Sequence, residues 1–470
     1  LYSQDTPLAR AQALLKQGKA QDALDLLLDL HRSQPSDANV CQQVGIAYTQ
    51  LQNLTEAEKF YRQAVRLNPQ FWAARKNLGT VLWFLDRKGE SEREFLAVTK
   101  ELPADPVPHL YLGLAAYERR DFPRAKMEFE RAGTLASSNP EVLPAVFESH
   151  LATHDMSFPT KVMERVTRAE EPDSALILRL GALFLQYGEY GRAAVALERL
   201  VAMHKDSGEV WRMLAETYDR QGKPDQAYRA YSRAEENDSS SEENYIAFAE
   251  FASAHGNNDY ALQVVARGLQ RLPQSPGLLF EQGILRALKG DREQADTSFK
   301  EAGRLKPGWN PPLLALGISR LESGDATQAA ALFDKARTAD PRDSRAHYLY
   351  ATALSREAGV ISVETRAKAI AALHKAIEID PKDARAHALL GQLDLAAGKH
   401  EAAALDWQTA LKIEPENTTA LYQLGLLRRR QRKTAEAERL LQAFQRVKAK
   451  KPDEEKSLVQ ILRVVPEKRP

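Results

Sequence analysis

Small residues recur along this chain at one interval, and that interval decides what it can fold into. Gly45, Gly79 and Gly113 stand 34 residues apart, and Gly181 lies two such periods further on. Ala215, Ala249, Gly283, Gly317 and Ala351 keep the step; Gly391 follows after 40 residues and Gly425 after another 34. Twelve positions beyond most of these comes a second small residue, as at Ala57, Ser91, Ala125, Ala193, Ala227, Ala261, Ala295, Ala329, Ala403 and Ala437. Four residues later stands a bulky one: Tyr61, Phe95, Phe129, Leu197, Tyr231, Val265, Phe299, Phe333, Trp407 and Leu441. Proline closes many periods, at Pro35, Pro69, Pro103, Pro273, Pro307, Pro341, Pro381 and Pro415.

The second small residue and the bulky one are i and i+4, which puts them on one face of a helix. The first small residue belongs to a preceding helix, and small side chains at both points let two backbones approach closely. Turns such as Gln17-Gly18-Lys19, Gln221-Gly222-Lys223 and Ser323-Gly324-Asp325 separate the two helices. The closing proline cannot continue a helix, so it ends each period. Heptads do not persist across this Gly and Pro punctuation, which excludes a coiled coil.

In these residues the chain resembles the tetratricopeptide-repeat family, whose unit is an antiparallel helix pair of about 34 residues. The resemblance covers residues 4–451, or thirteen repeats, and implies an all-α fold: a right-handed superhelical solenoid of helix-turn-helix repeats. Residues 4–139 hold repeats one to four, 174–343 repeats six to ten, and 384–451 repeats twelve and thirteen. Two repeats are irregular. The fifth, 140–173, lacks the small residues, and Pro144 and Pro159 are expected to disturb both of its helices and make it a hinge. The eleventh, 344–383, carries six extra residues within Ser355–Thr365, read as a longer turn between its helices. A tail, 452–470, follows the last repeat.

Composition removes several function classes. No run of eighteen apolar residues exists, so no membrane span is expected. Lys plus Arg number 65 against 64 Asp plus Glu, which leaves no global charge for nucleic acid. Cys41 is the single cysteine, so an intramolecular disulfide and a multi-cysteine metal site are both excluded. His150 and His154 are spaced i, i+4 with Asp155 adjacent, a spacing that can put two imidazoles on one metal. Without a third ligand or an HExxH arrangement, the expectation is a packing or solvated pair, with no metal and no cofactor. His347 and His387 share one repeat position and are expected in the inter-helix core. No phosphate loop, dinucleotide fingerprint or nucleophile elbow occurs, and the longest stretch outside the repeats is the tail, so no enzyme is expected.

What remains is binding. The resemblance implies that the first helix of each repeat lines a concave groove. In repeats three and four that places Lys76, Trp83, Phe84, Leu110, Tyr111 and Tyr117 on it, an aromatic strip fit to anchor a protein partner. The family's clamp for acidic chaperone tails is not matched: Lys76 fits its first position, but Thr80 and Tyr111 replace the asparagines it needs.

The chain ends offer a second surface. Residues 418–470 carry 14 Lys and Arg against 6 Asp and Glu, with Arg428, Arg429, Arg430, Arg432 and Lys433 clustered at the end of a helix. That cluster either caps the helix dipole or docks on an acidic surface, such as Asp206–Asp259 of another copy. The tail places Leu458, Ile461, Leu462 and Val465 in an apolar stretch, either a cap over the last repeat or a segment donated to a neighbour. Asn53, Asn237 and Asn417 open glycosylation triplets in turns between helices. The chain opens at Leu1 rather than Met, which favours an exported protein, periplasmic or extracellular, over a cytoplasmic one. The sequence thus points to a non-enzymatic scaffold for protein partners. Its alternative is a protomer that assembles head to tail, as a homo-oligomer or polymer, into a filament.

Overall fold

The structure is a computed structural model that describes residues 6–356 and 362–450. Among them are 27 α-helices and no strand, and no helix is long and apolar enough to cross a membrane. The chain forms two compact bodies, one of residues up to Asp206 with Glu216–Ala227, the other of Ser207–Ala215 with residues from Tyr228 on. Each body stacks antiparallel helix pairs. Trp72–Phe84 with Lys88–Glu101, and Pro106–Glu118 with Phe122–Ala132, are examples in the first. In the second, Asn310–Glu322 pairs with Ala326–Ala339, and Ala384–Ala396 with His400–Ile413.

Each end of a pair has a local cause. Asn68, Leu102, Leu272, Asp340 and Glu414 each precede a proline and sit at φ between −121° and −135°, extended backbone that ends the helix. Two residues after the proline comes the next N-cap. Asp37, Asp105, Ser275, Asp343 and Asp383 each accept a hydrogen bond from a backbone N–H of the first turn. The turn inside a pair needs one residue in the left-handed region. Glycine supplies it at Gly18, Gly188 and Gly222, but Gln52, Asp86, Arg120 and His154 hold the equivalent place at φ near 60°.

The contact behind the 34-residue period is a ring laid on a glycine. A Cβ on Gly79 would lie 2.8 Å from Phe95 Cε1, one on Gly317 2.4 Å from Phe333 Cε1, and one on Gly391 2.6 Å from Trp407 Nε1. Only hydrogen fits there. Trp407 is fully buried, and its Nε1 donates to the Ala388 carbonyl at 3.0 Å. Where Ser91 replaces alanine, its buried hydroxyl donates to the Gly79 carbonyl at 2.7 Å, so the polar atom is satisfied. Cys41 is buried in the core as well.

The irregular repeats differ from expectation. Pro144 and Pro159 do not break helices: Pro144 lies at the start of Leu143–Ala152, and Pro159 in the first turn of Ser157–Arg168. A proline there loses no hydrogen bond, because first-turn N–H groups have no helical acceptor. Every residue from Leu143 to Leu151 is buried, and Phe147 meets Phe184 edge-on at 5.0 Å. Repeat eleven does not place its whole insertion in a turn. Its second helix, Val363–Ile379, has 17 residues where Ala326–Ala339 has 14, so part of the insertion extends the helix at its start. Ser362 caps it, accepting from Thr365 N at 3.0 Å, and Ala369, Leu373 and Ala376 are buried.

Candidate partner-binding face

The aromatic strip sorts into core and surface. Leu110, 8% exposed, belongs to the core with Phe129 and Val146 and offers no surface. Tyr111 stacks on Phe95 at 5.0 Å with the rings nearly parallel, half-buried, and Trp83 leans on it at 5.5 Å. Lys88 Nζ lies 4.9 Å over the Trp83 ring, a cation–π contact. Phe84 is 64% exposed, its ring edge-on to Tyr111 with centroids 6.5 Å apart. Lys76 is occupied, its ammonium 2.6 Å from Asp105. The accessible apolar surface is therefore Phe84, with Trp83 and Tyr111 as its floor.

Tyr117 is held by a buried carboxylate that the sequence did not announce. Its hydroxyl donates to Glu148 Oε2, and the Tyr187 hydroxyl donates to Glu148 Oε1 at 3.0 Å. Burial, then Glu148, pushes the Tyr117 phenol above its ordinary range and the Tyr187 phenol up to about 12. One carboxylate thus ties repeats four, five and six together. The residues stand 31 and 39 apart in sequence, and no local signal pairs them.

The histidine pair is not a pair. The helix ends at Ala152, so His154 lies exposed in the turn while His150 is buried, stacked on Phe158 at 4.5 Å. His150 Nδ1 is 3.0 Å from Asp155 Oδ2, and Glu130 of the preceding repeat joins them within 4.8 Å, a third group that spacing could not reveal. Lys126 already serves this cluster: its ammonium is 2.6 Å from Asp155 and 3.9 Å from Glu130. The hydrogen bonds from Lys126 and Ser157 hold the Asp155 carboxyl far below its ordinary range. The cluster is thus one imidazole and two carboxylates, with the Lys126 ammonium beside both acids.

At the far end, Arg429, Arg430, Arg432 and Lys433 are exposed, but Arg428 is 9% exposed and bound to Glu436 at 2.9 Å and Gln431 at 2.8 Å. Arg428 is therefore a structural residue and leaves the cluster. Leu458, Ile461, Leu462 and Val465 lie outside the described residues. Asn53 is exposed and caps a helix, and Asn237 is exposed at a helix end. Asn417 is 9% exposed, a buried cap that accepts from Ala420 N and donates to Glu414, so its triplet is not an open turn.

Three family models, each described as tetratricopeptide repeat, match residues 38–71, 184–245, and 314–357, 366–417 and 389–454. The chain belongs to the tetratricopeptide-repeat family. Its fold class is shown by likeness to the crystal structure of yeast Tom70, with a TM-score of 0.50 at 14% identity over 91% of this chain and 96% of that one. Among curated proteins it is similar to human Superkiller complex protein 3, 22% identical over 237 residues, and to Superkiller protein 3 of Schizosaccharomyces pombe, 26% identical over 232. Those matches span 48% and 46% of this chain but 15% and 16% of the relatives, so the chain corresponds to a small part of each. Tetratricopeptide repeats of this kind are scaffolds for protein–protein interaction, and this chain is such a scaffold.

Proposed function

We propose that the chain acts without catalysis and takes a segment of a partner protein on the first-helix face of repeats three and four, anchored at Phe84. The observation that carries the reading is the 64% exposure of Phe84 directly beside Trp83 and Tyr111, whose rings are fixed by Lys88 and Phe95. An exposed ring on a rigid aromatic floor loses little entropy on binding and buries apolar area at once, which is how anchor residues contribute most of an interface's affinity. The Lys76–Asp105 pair beside it supplies a polar rim rather than a free charge.

The test is selection of binding peptides from a random display library on the full chain, followed by titration of the selected peptides. Phe84→Ala is expected to weaken binding by about tenfold or more, in line with the cost of truncating an aromatic anchor. Its thermal stability should stay unchanged, because the side chain has little to lose from the core. Peptides that bind Phe84→Ala and the parent chain equally would remove Phe84 from the interface. The head-to-tail filament has no support in the described residues or in the relatives and forms no part of this proposal.

A further inference from the structure

Four repeats carry a base on the first helix, four residues before the small residue at the helix crossing: Arg75, His109, His347 and His387. In three of them an acid on the second helix receives it, from the position just before the bulky residue. Arg75 Nη1 is 2.7 Å from Glu94 Oε2, His109 Nδ1 is 2.6 Å from Glu128 Oε2, and His387 Nδ1 is 3.3 Å from Asp406 Oδ1. A second contact is shared too. Arg75 Nε, His109 Nε2 and His347 Nε2 reach the carbonyl oxygens of Pro69, Pro103 and Pro341 at 2.9, 2.9 and 3.1 Å.

Repeat eleven breaks the pairing. Its bulky residue is Leu373, so Ala372 stands where the other three have the acid. His347 is 5% exposed, and its Nδ1 is buried with no hydrogen-bond partner. A buried ring nitrogen left unpaired is unfavourable, so the arrangement is one that a ligand can improve. Beside it, where the acid's side chain would reach, a cavity of about 390 Å³ opens, lined by His347, Ala372, Tyr350 and four charged side chains.

Those four are Arg337, Lys368, Lys375 and Asp334, three cations against one carboxylate. Arg337 lies 4.6 Å over the Tyr350 ring and turns one amino group to Asp334, while its buried Nε has no acceptor. Lys375 pairs with Glu378 at 2.9 Å and Lys368 with Glu364 at 2.8 Å, but both pairs are exposed and therefore weak, so the ammonium groups can turn to a ligand.

We propose that this cavity binds a small dianion whose carboxylate or phosphate oxygens take the place of the acid missing at Ala372. Two or three cations around two ligand charges, with an arginine fork among them, suit such an oxyanion. Burial, then Arg337 and Lys375, push the His347 imidazole below its ordinary value. An anion offsets both cations and favours an imidazolium whose Nδ1–H donates to it.

The test is calorimetric titration of the full chain with succinate and with inorganic phosphate, at constant ionic strength set by sodium chloride. Saturable binding of succinate alone assigns a carboxylate ligand, of phosphate alone a phosphoryl ligand, and of both the shared oxyanion chemistry. Ala372→Asp supplies the acid internally and is expected to weaken binding by about tenfold or more while leaving thermal stability equal or higher. Should that variant misfold, Arg337→Gln decides, with a comparable loss expected. Absence of saturable binding by either anion, or equal binding by the folded variant, overturns the proposal.

Discussion

Replacing Gly317 by alanine tests whether the ring-on-glycine contact sets the repeat. The added Cβ would lie 2.4 Å from Phe333 Cε1 and 2.8 Å from two more ring carbons, and that ring is fully buried. Something must move, and overpacking of a closed core costs about 1–3 kcal/mol. Against this stands the gain any helix makes from Gly→Ala, about 1 kcal/mol. The clash wins in most of that range, for a net loss of up to about 2 kcal/mol. Gly303 is the internal control. It also lies in a helix, Arg292–Leu305, but its Cβ would meet only Pro312 Cβ at 3.5 Å, so Gly303→Ala should stabilise by about 1 kcal/mol. Long repeat arrays need not unfold in one step, so the readout is native-state hydrogen exchange of peptides from Asn310–Glu322 and Ala326–Ala339. Gly317→Ala should exchange about tenfold faster there, and Gly303→Ala slower in its own helix. Equal protection in the two variants would refute the reasoning, because propensity alone would then explain both.

Glu148→Ala should cost about 2–4 kcal/mol, since it leaves the Tyr117 and Tyr187 hydroxyls without their acceptor; loss of exchange protection across Leu143–Ala152 is the measure, and Glu148→Gln should recover much of it. Gln52→Gly, at φ 60° in an exposed turn, should stabilise by about 0.5–1 kcal/mol in thermal unfolding, whereas Gly222→Ala at φ 71° should destabilise by a similar amount. Around repeat five, acid should loosen the fold in two steps. Burial lowers the His150 pKa from its usual 6.5, so the stability of its neutral ring is present above that value and is lost as pH falls from there through the folded pKa. Asp155, lowered from 3.8 chiefly by Lys126, gives a second contribution that is lost only below the ordinary carboxylate range. Melting followed against pH should show both steps, and His150→Phe should remove the upper one while the lower, held chiefly by Lys126, persists in reduced form.

The helix pairs were legible because the features that make them are local. A proline two residues before an aspartate or serine writes both the end of one helix and the cap of the next, as at Pro103 and Asp105. Pro144 departs from that rule, since it sits within the first turn after the cap Val142, and it reads as a breaker because the small residues that give the register are missing there. The register itself persists: His154 takes the left-handed place in the turn that Gly188 takes one period later. A histidine can hold that conformation at a cost set off by the buried helix before it, so a search for glycine alone passes over the turn.

The surface was less legible, since neighbouring positions on one helix differ in fate. Trp83 and Phe84 are adjacent aromatics, yet one is floor and the other is exposed; Arg428 and Arg429 are adjacent cations, yet one is buried on Glu436. A rotation of about 100° per residue separates them, and charge or hydropathy cannot register it. Repeats offer a remedy, because each one is a copy against which the others can be read. Arg75 with Glu94, His109 with Glu128 and His387 with Asp406 define what a base at that position demands. Ala372 is unremarkable as an alanine and informative only as the absence of that acid opposite His347. Fold and function therefore call for opposite readings of the same period: the fold lies in what every copy keeps, and the candidate ligand site in the one copy that drops a charge while keeping its partner.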